Sequence, residues 1–251
     1  MRFEDKVAIV TGGGRNVGAA ISSRLAREGA RVAVADMDTG RGKAVAGELN
    51  EFRPGAGHFV RCDVSSADDV RQMVDEVAAT FGGVDILVNG VAITDRGTTV
   101  LDLDEKVWSR VLAVSLDSVF LCAKYAGRLM VEQGRGGVIV NIGSTSGHRG
   151  RRNATAYAAA KGAIIPLTRS LAVQLGEYGI RVNTVTPNKV GSPVGEDVEP
   201  ADRKRENLLG RGAVPGDIAD AVAFLCSEEA AFITAADLMV DGGSLYASTA
   251  G

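Results

Sequence analysis

Two side chains four residues apart carry the chemistry that the sequence indicates most directly. Tyr157 and Lys161 stand in the run Tyr-Ala-Ala-Ala-Lys within a stretch of helical character, so both lie on one helix face. A tyrosine has an unperturbed pKa of about 10, and a neighbouring ammonium group stabilises the phenolate and lowers that pKa. The pair therefore predicts a site at which Tyr157 exchanges a proton with a substrate oxygen. On the spacing alone, an ordinary amphipathic helix face is the more common explanation.

A serine between the pair and the preceding apolar run is the third candidate. Ser144 follows a predicted strand at residues 137–142. Open α/β sheets bind their ligands at the carboxyl ends of the strands. We therefore expect the Ser144 hydroxyl to hydrogen-bond the same substrate oxygen that Tyr157 serves.

A glycine-rich segment lies between the first predicted strand and the first predicted helix. Residues 11–18 read Thr-Gly-Gly-Gly-Arg-Asn-Val-Gly and are called the glycine loop below. Glycines permit a tight turn against a pyrophosphate, and the following helix N-terminus presents unpaired N–H groups and a positive dipole end. The alternative is a plain glycine-rich turn. The position after a first strand favours dinucleotide binding, with contacts from Gly12, Arg15, Asn16, Val17 and Gly18.

The residue at the end of the second predicted strand bears on the choice of cofactor. Asp36 can accept hydrogen bonds from the adenosine ribose hydroxyls, and its charge repels a 2′-phosphate. A solvated turn aspartate or helix cap is the alternative. Arg15 in the glycine loop points the other way, because a basic residue there can pair with a 2′-phosphate. Since Asp36 is placed against the ribose itself, NAD is predicted rather than NADP.

The elements that position these residues alternate along the chain. Short, nearly continuous apolar runs are typical of parallel strands covered on both faces, and amphipathic segments separate them. The alternation predicts an α/β fold, a doubly wound parallel sheet with helices on both faces. Strands are predicted at residues 6–10, 31–35, 57–62, 85–88, 137–142, 180–186 and 237–240. Helices are predicted at residues 17–28, 39–51, 66–81, 104–132 (as one or two), 155–178 and 217–227.

Composition excludes several classes of protein. The chain has 251 residues, 45% of them hydrophobic and 24% charged, with a formal net charge of −3, which is typical of a globular protein. No clustered basic face indicates nucleic-acid binding, and no apolar run is long enough to span a membrane. Cys62, Cys122 and Cys226 lack metal-ligand spacing, so we expect reduced, buried thiols and no metal site. Without a signal-peptide pattern, the prediction is a cytoplasmic protein.

Further residues extend the pattern to a family resemblance. They are Asp63 and Val64 after the third predicted strand, Asn89 after the fourth, Pro187 after the sixth, and the run Asp241-Gly242-Gly243. With the glycine loop, Ser144 and the Tyr157/Lys161 pair, the chain resembles the short-chain dehydrogenase/reductase family over residues 6–243. The resemblance implies a single Rossmann-type domain over residues 1–251, with about seven strands.

The resemblance also implies roles for the matched residues. Tyr157 is then the catalytic acid/base, Lys161 lowers its pKa and binds the nicotinamide ribose, and Ser144 orients the substrate oxygen. Family members are commonly tetramers that pack through two long central helices, here residues 106–132 and 155–178, so a homotetramer is predicted.

The remaining cofactor contacts follow from the same resemblance. Asp63 and Val64 border the adenine ring, whereas Asn89 and Gly90 lie beside the central ribose. At the nicotinamide end, next to Pro187, the contacts are Val190, which touches the amide, and Ser192, which stands where the family usually has a threonine.

Two of the departures from the family pattern bear directly on the proposed chemistry. Asn16 replaces the usual second glycine of the loop, and asparagine tolerates left-handed backbone geometry, so we expect the turn to survive. Ser115 replaces an asparagine that the family uses to hold a water in a proton relay to the lysine. Because serine is shorter, slower proton exchange is expected, and not a loss of chemistry.

Loops are expected to shape the substrate pocket at residues 93–100, 145–156 and 188–212, the last as a lid. His148, Arg149, Arg151 and Arg152 crowd the second loop, where one arginine can bind an anionic substrate, or the loop is simply solvated or paired across a subunit interface. Asp95 is a candidate for the pocket rim. The run 203–206, Arg-Lys-Arg-Glu, is expected to form a solvated helix face in the lid.

Together these features predict an NAD-dependent oxidoreductase that moves a hydride between the nicotinamide and a small-molecule carbonyl or secondary alcohol. An NADPH-dependent 3-oxoacyl-thioester reductase is the alternative that Arg15 and the loop arginines favour. A non-catalytic nucleotide-binding protein of the same fold is the alternative from another class, and only Asn16 and Ser115 support it.

Overall fold

The computed structural model describes residues 1–196 and 207–246. Within that part of the chain, seven strands form one sheet in the order β3-β2-β1-β4-β5-β6-β7, and every pairing is parallel. The strands are β1 (Val7–Thr11), β2 (Arg31–Asp36), β3 (Gly57–Arg61), β4 (Ile86–Asn89), β5 (Gly137–Ile142), β6 (Ile180–Pro187) and β7 (Asp237–Val240).

Helices connect the strands and cover both faces of the sheet. They are α1 (Asn16–Arg27), α2 (Thr39–Phe52), α3 (Ala67–Phe81), α4 (Glu105–Leu112), α5 (Ser118–Gln133), α6 (Thr155–Leu175) and α7 (Pro215–Cys226). A π-helical turn, Ala113–Asp117, joins α4 to α5. A 3₁₀ turn, Thr145–Gly147, lies between β5 and α6.

Two layers of buried side chains hold the helices to the sheet. On one face, Ile21 of α1 and Ile218 of α7 pack with Val34 of β2. On the other face, Val74 of α3 and Met130 of α5 pack with Leu87 of β4. The apolar spacing of each helix thus meets a strand that is buried on both sides, which explains why the strand sequences are nearly continuous apolar runs.

The order of the strands creates the crevice in which a ligand can bind. β1 has β2 on one side and β4 on the other, so the connections that leave these strands run in opposite directions. The carboxyl ends of the strands next to such a switch point border an open cleft. The glycine loop follows β1 here, and Asn89 ends β4 at the same edge.

The predicted fold is confirmed. The seven predicted strands and the helices are present, and most predicted ends agree within one or two residues. Residues 104–132, predicted as one or two helices, form α4 and α5 with the π-helical turn between them. The helix predicted at residues 155–178 ends at Leu175 and continues as a 3₁₀ turn, Gly176–Tyr178.

Three further expectations concern the lid, the membrane and the cysteines. Residues 197–206 of the predicted lid, with the Arg-Lys-Arg-Glu run at 203–206, lie outside the described residues. No described helix has the length and apolar character needed to cross a bilayer. The three cysteines are buried free thiols, as predicted. Burial raises the pKa of Cys62 and of Cys226 to about 12.

Candidate active site

The serine, tyrosine and lysine singled out from the sequence meet at the carboxyl end of β5. Ser144 follows β5 and begins the 3₁₀ turn, where its Oγ accepts a hydrogen bond from the Ser146 N–H at 3.1 Å. This turn packs tightly on α6, because a Cβ on Gly147 would lie 2.7 Å from the Gly162 nitrogen. The close contact brings the Ser144 hydroxyl near the Tyr157 hydroxyl, where its polar interaction lowers the pKa of Tyr157.

Lys161 is a buried cation, with 3% of its surface exposed. Its Nζ donates a hydrogen bond to the Ile142 carbonyl at 2.6 Å and lies 5.9 Å from the centre of the Tyr157 ring. Burial lowers the pKa of Lys161 to about 8, because the charged form loses its hydration. The predicted proximity of Tyr157 and Lys161 is therefore present in the structure.

The pKa of Tyr157 requires a correction to the expectation from sequence. We expected the ammonium group of Lys161 to lower it. In the structure the pKa of Tyr157 is raised, because burial penalises the phenolate more than its neighbours stabilise it. The hydrogen bond with Ser144 and the positive charge of Arg151 both act in the lowering direction. Desolvation, which the sequence does not express, therefore decides the sign.

Ser115 lies in the π-helical turn and is fully buried. Its Oγ donates to the Ile93 carbonyl and accepts from the Ile93 N–H, both at 3.0 Å. A serine hydroxyl has one proton to donate, and here that proton serves Ile93. Ser115 thus anchors the loop that follows β4, and its part in a proton relay stays a prediction.

The glycine loop has the shape that a dinucleotide phosphate needs. A Cβ on Gly18 would lie 2.0 Å from the Gly12 carbonyl oxygen, and Gly12 has a positive φ of 67°, so both positions require glycine. No described side chain caps α1, whose first turn has no acidic residue. Its N–H groups and positive dipole end therefore fit an anionic group such as a pyrophosphate.

Asp36 lies against this loop at the end of β2. Its Oδ2 accepts a hydrogen bond from the Gly14 N–H, and its Oδ1 accepts one from the Asp38 N–H, both at 3.0 Å. Each carboxylate oxygen has a further acceptor site. The side chain therefore supports the loop and still has the capacity to accept bonds from a pair of ribose hydroxyls.

Asn16 and Ser192, both predicted to contact the cofactor, also contact each other. Asn16 has a left-handed φ of 47°, as its replacement of a glycine requires. Its Nδ2 donates to the Ser192 Oγ at 3.0 Å and to the Ser192 carbonyl at 3.2 Å. The loop after β6 is tied in this way to the start of α1. Nearby, Val190 forms a bridge with Ala213 beyond Pro187, the last residue of β6.

The remaining predicted cofactor residues lie along the edge formed by β1, β3 and β4. Hydrogen bonds from Ser65 and the charge of Arg110 lower the pKa of Asp63, although burial alone would raise it. Val64 is buried. The Gly90 N–H donates to the Thr11 Oγ1 at 3.1 Å.

Asn89 is held from one side only. Its Nδ2 donates to the Asn141 Oδ1 at 2.8 Å, while its buried Oδ1 has no hydrogen-bond partner among the described residues. An unsatisfied buried acceptor at the edge where a ligand is expected fits a donor such as a ribose hydroxyl. Together with the uncapped α1 and the glycine loop, this acceptor fits a dinucleotide bound at this edge of the sheet.

Sequence reasoning missed two polar contacts that support the site. Asp95, considered for the pocket rim, is buried, and its carboxylate accepts hydrogen bonds from the Ala156 and Tyr157 N–H groups at the start of α6. His148 pairs with Asp237 of β7 at 2.9 Å. Both contacts join residues far apart in the chain, so local sequence spacing does not predict them.

Among the described residues, Arg151 connects the basic loop between Ser144 and Tyr157 to the site. Arg151 donates from Nη1 to the Ser146 Oγ at 2.6 Å. Within residues 1–196 and 207–246, no group of three or more His, Cys, Asp or Glu side chains is arranged to hold a metal ion.

Comparison with known proteins finds a matching family model and a similar solved structure. The family model described as enoyl-(acyl carrier protein) reductase matches residues 12–244. Acetoin dehydrogenase YohF from Salmonella typhimurium superimposes with a TM-score of 0.88 at 32% identity, covering 98% of both chains. The chain belongs to the short-chain dehydrogenase/reductase family.

Two other members of the family are similar to this chain over nearly their whole length. The (−)-isopiperitenol/(−)-carveol dehydrogenase of Mentha piperita is 40% identical, over 96% of this chain and 94% of that protein. The cis-4-hydroxycyclohexanecarboxylate dehydrogenase of Sinomonas cyclohexanicum is also 40% identical, over 96% and 97%. The Mentha protein is named as mitochondrial, so a cytoplasmic location of the present family member stays a prediction.

A methyl group added at Gly18 tests the glycine loop of this family member. We expect Gly18→Ala to lower the free energy of unfolding by about 1–3 kcal/mol, because the new Cβ overlaps the Gly12 carbonyl. Loss of the tight turn should also abolish NADH binding. Thermal unfolding and fluorescence titration with NADH measure the two effects.

Gly47→Ala is the matched control. Gly47 lies in α2, and a Cβ there meets nothing within 4 Å. Alanine has the higher helix propensity, so this variant should be stabilised by up to about 1 kcal/mol and bind NADH normally. Unchanged binding in Gly18→Ala would show that the loop does not hold the cofactor.

Proposed function

We propose that the chain is a single-domain NAD(H)-dependent dehydrogenase/reductase that acts on a small or medium secondary alcohol and the corresponding ketone. The observation that carries the proposal is the meeting of Ser144, Tyr157 and Lys161 at the carboxyl end of β5. The family supports oxidoreduction, and the relatives described above are named as dehydrogenases of alcohols.

In the proposed mechanism the hydride at the substrate carbon would come from, or go to, a nicotinamide cofactor when one is bound. Ser144 holds the substrate oxygen by a hydrogen bond and keeps it beside the Tyr157 hydroxyl. During ketone reduction Tyr157 gives its proton to that oxygen, and during alcohol oxidation the tyrosinate takes the proton back. Hydrogen-bond donors set in advance around the oxygen also stabilise the charge that develops on it.

The pKa directions favour a protonated tyrosine at neutral pH. Burial raises the pKa of Tyr157, so the hydroxyl is ready to act as an acid in ketone reduction. Alcohol oxidation requires the tyrosinate, and its rate should therefore increase with pH through the raised pKa. Lys161 keeps its proton below its pKa of about 8, and its ammonium group lies 5.9 Å from the centre of the Tyr157 ring.

NAD is proposed over NADP because of Asp36. Its carboxylate faces the glycine loop and keeps acceptor capacity on both oxygens. A negative charge there disfavours a 2′-phosphate. The proposed cofactor contacts are Gly12, Arg15, Asn16, Val17, Gly18, Asp36, Asp63, Val64, Asn89, Gly90, Tyr157, Lys161, Pro187, Val190 and Ser192.

An NADPH-dependent 3-oxoacyl-thioester reductase is the second candidate. Arg15 stands in the glycine loop, where a basic side chain can pair with a 2′-phosphate. The description of the matched family model names an acyl carrier protein, which is a thioester carrier. The preference for NADH or NADPH therefore distinguishes this reductase from the proposed NAD(H)-dependent dehydrogenase.

The lid at residues 188–212 and the homotetramer also remain part of the proposal. Two contacts support a lid at its described beginning, since Asn16 bonds to Ser192 and Arg96 pairs with Glu196. Exposed apolar side chains on the faces of α5 and α6, among them Phe120 and Val173, support packing of these helices against another subunit.

Tyr157→Phe is the direct test of the proposed chemistry. We expect turnover to fall roughly 10²–10⁴-fold, the range for loss of a general acid/base, while NADH still binds. Candidate substrates are carveol, cis-4-hydroxycyclohexanecarboxylate and acetoin, taken from the names of the relatives. NADH formation at 340 nm reports turnover, and fluorescence titration reports binding.

Tyr178→Phe is the control, because Tyr178 is exposed in the 3₁₀ turn beyond α6. It removes one hydroxyl far from Ser144 and should leave turnover unchanged. Full turnover by Tyr157→Phe would contradict the tyrosine mechanism. NADH binding without turnover on a broad panel of alcohols and ketones would favour the non-catalytic nucleotide-binding alternative.

The cofactor assignment is tested by dissociation constants for NADH and NADPH. We expect the wild type to bind NADH at least about tenfold more tightly, a difference of about 1.4 kcal/mol. Asp36→Asn keeps an acceptor for the Gly14 N–H but removes the negative charge. It should therefore reduce the ratio of the NADPH to the NADH dissociation constant. Asp38→Asn, which makes the same change in the exposed cap of α2, should not. Tighter NADPH binding by the wild type would favour the thioester reductase.

Removal of the Arg151 charge should shift the pH profile of alcohol oxidation. Arg151 lowers the pKa of Tyr157, so Arg151→Gln raises that pKa. Because oxidation needs the tyrosinate, the rate should then begin to rise only at higher pH. Arg149→Gln is the control in the same exposed loop. If the profiles of kcat against pH coincide for Arg151→Gln and the wild type, Arg151 does not influence the pKa of Tyr157.

A further inference from the structure

The helix that carries Tyr157 begins without a cap of its own. Ala154 occupies the capping position of α6 with a left-handed φ of 64°, and no side chain there bonds the helix. An α-helix leaves its first N–H groups without partners inside the helix, and a capping side chain normally serves the second and third of them. In α6 these two groups belong to Ala156 and Tyr157.

Asp95 supplies the missing acceptors from another part of the chain. Its Oδ2 accepts from the Ala156 N–H at 2.9 Å, and its Oδ1 accepts from the Tyr157 N–H at 3.0 Å. Only 3% of Asp95 is exposed. Among the described residues its carboxylate forms no ion pair, so these N–H groups and the positive end of the helix compensate the buried charge.

The segment that carries Asp95 is itself fixed at several points. Ser115 holds Ile93 by two hydrogen bonds. The Thr98 Oγ1 donates to the Asp95 carbonyl at 2.7 Å, and the Ala154 N–H donates to the Thr98 carbonyl at 3.2 Å. The loop after β4 and the start of α6 are therefore joined by a set of hydrogen bonds with Asp95 at its centre.

We propose that Asp95 is a positioning residue, whose buried carboxylate fixes the backbone of Tyr157 and thereby holds the phenol against Ser144. Its role in turnover rests on the proposed function of Tyr157, whereas its structural effect does not. A displacement of about 1 Å at a reacting group can lower a rate by roughly two orders of magnitude. Asp95 would thus act on the reaction without touching the substrate.

Three variants separate positioning from general stability. Asp95→Ala removes both acceptors. Asp95→Asn keeps one of them and should restore part of the function. Asp102→Ala is the control, because Asp102 lies in the same loop, is exposed and, among the described residues, accepts a side-chain hydrogen bond only from Thr99. All three are compared with the wild type at temperatures well below their melting points.

The first measurement needs neither substrate nor cofactor. The chain has four tyrosines, so protein labelled with ¹³C at tyrosine Cζ gives few signals, and Tyr157→Phe assigns the one from Tyr157. In Asp95→Ala we expect the Tyr157 signal to shift, because the start of α6 is no longer held by the two hydrogen bonds that place the phenol beside Ser144. The Ala156 and Tyr157 amides should exchange with solvent at least about tenfold faster, while amides in the middle of α6 stay protected.

The second measurement is turnover. Asp95→Ala should lower kcat roughly tenfold or more with little change in the dissociation constant of NADH, and Asp95→Asn should lie between it and the wild type. If Asp95→Ala matches Asp102→Ala in the Tyr157 signal, the two amides and kcat, Asp95 has no positioning role. An altered Tyr157 signal in a chain that turns over no alcohol would support the positioning role and contradict the proposed function.

Discussion

The burial of the Lys161 ammonium group is the constraint on which the rest of the site depends. A cation that loses its water must find acceptors inside the protein, and the Ile142 carbonyl at the end of β5 supplies one at 2.6 Å. This bond requires α6 to pass close to the end of β5. Gly147 makes the approach possible, because any larger side chain there would overlap the backbone of α6. Tyr157, one turn earlier on the same helix, is thereby brought to Ser144.

Polar contacts below the site maintain this arrangement within an otherwise apolar interior. Asn141 of β5 accepts from Asn89 of β4 and donates to Thr168 of α6, which in turn is hydrogen-bonded to Thr184 of β6. Each member is buried, so a shift of one strand would leave polar groups without partners. This chain of hydrogen bonds thus fixes the register of three strands and one helix, next to the Ile142 carbonyl that accepts from Lys161.

The sequence predicts the fold and the main site residues for a clear physical reason. Apolar runs and helical spacing are local patterns that predict the elements, and Ser144, Tyr157 and Lys161 are recognised because their order and spacing also match a family pattern. The contacts of Asp95 with α6 and of His148 with Asp237 depend on the tertiary arrangement, so no local pattern predicts them. The direction of the Tyr157 pKa shift is also predicted wrongly. Sequence spacing reveals a neighbouring charge but not the loss of solvent that outweighs it.

Asn16 shows how a departure from a family pattern can preserve the conformation that the pattern serves. The glycine loop needs a left-handed residue at this position, and asparagine adopts it at small cost. Its side chain must then lie outside the space that the proposed phosphate group occupies. It reaches Ser192, so the loop after β6 is joined to the loop after β1. The substitution therefore keeps the turn and adds a link between the two segments that border the proposed cofactor site, which argues against reading it as the decay of a nucleotide-binding loop.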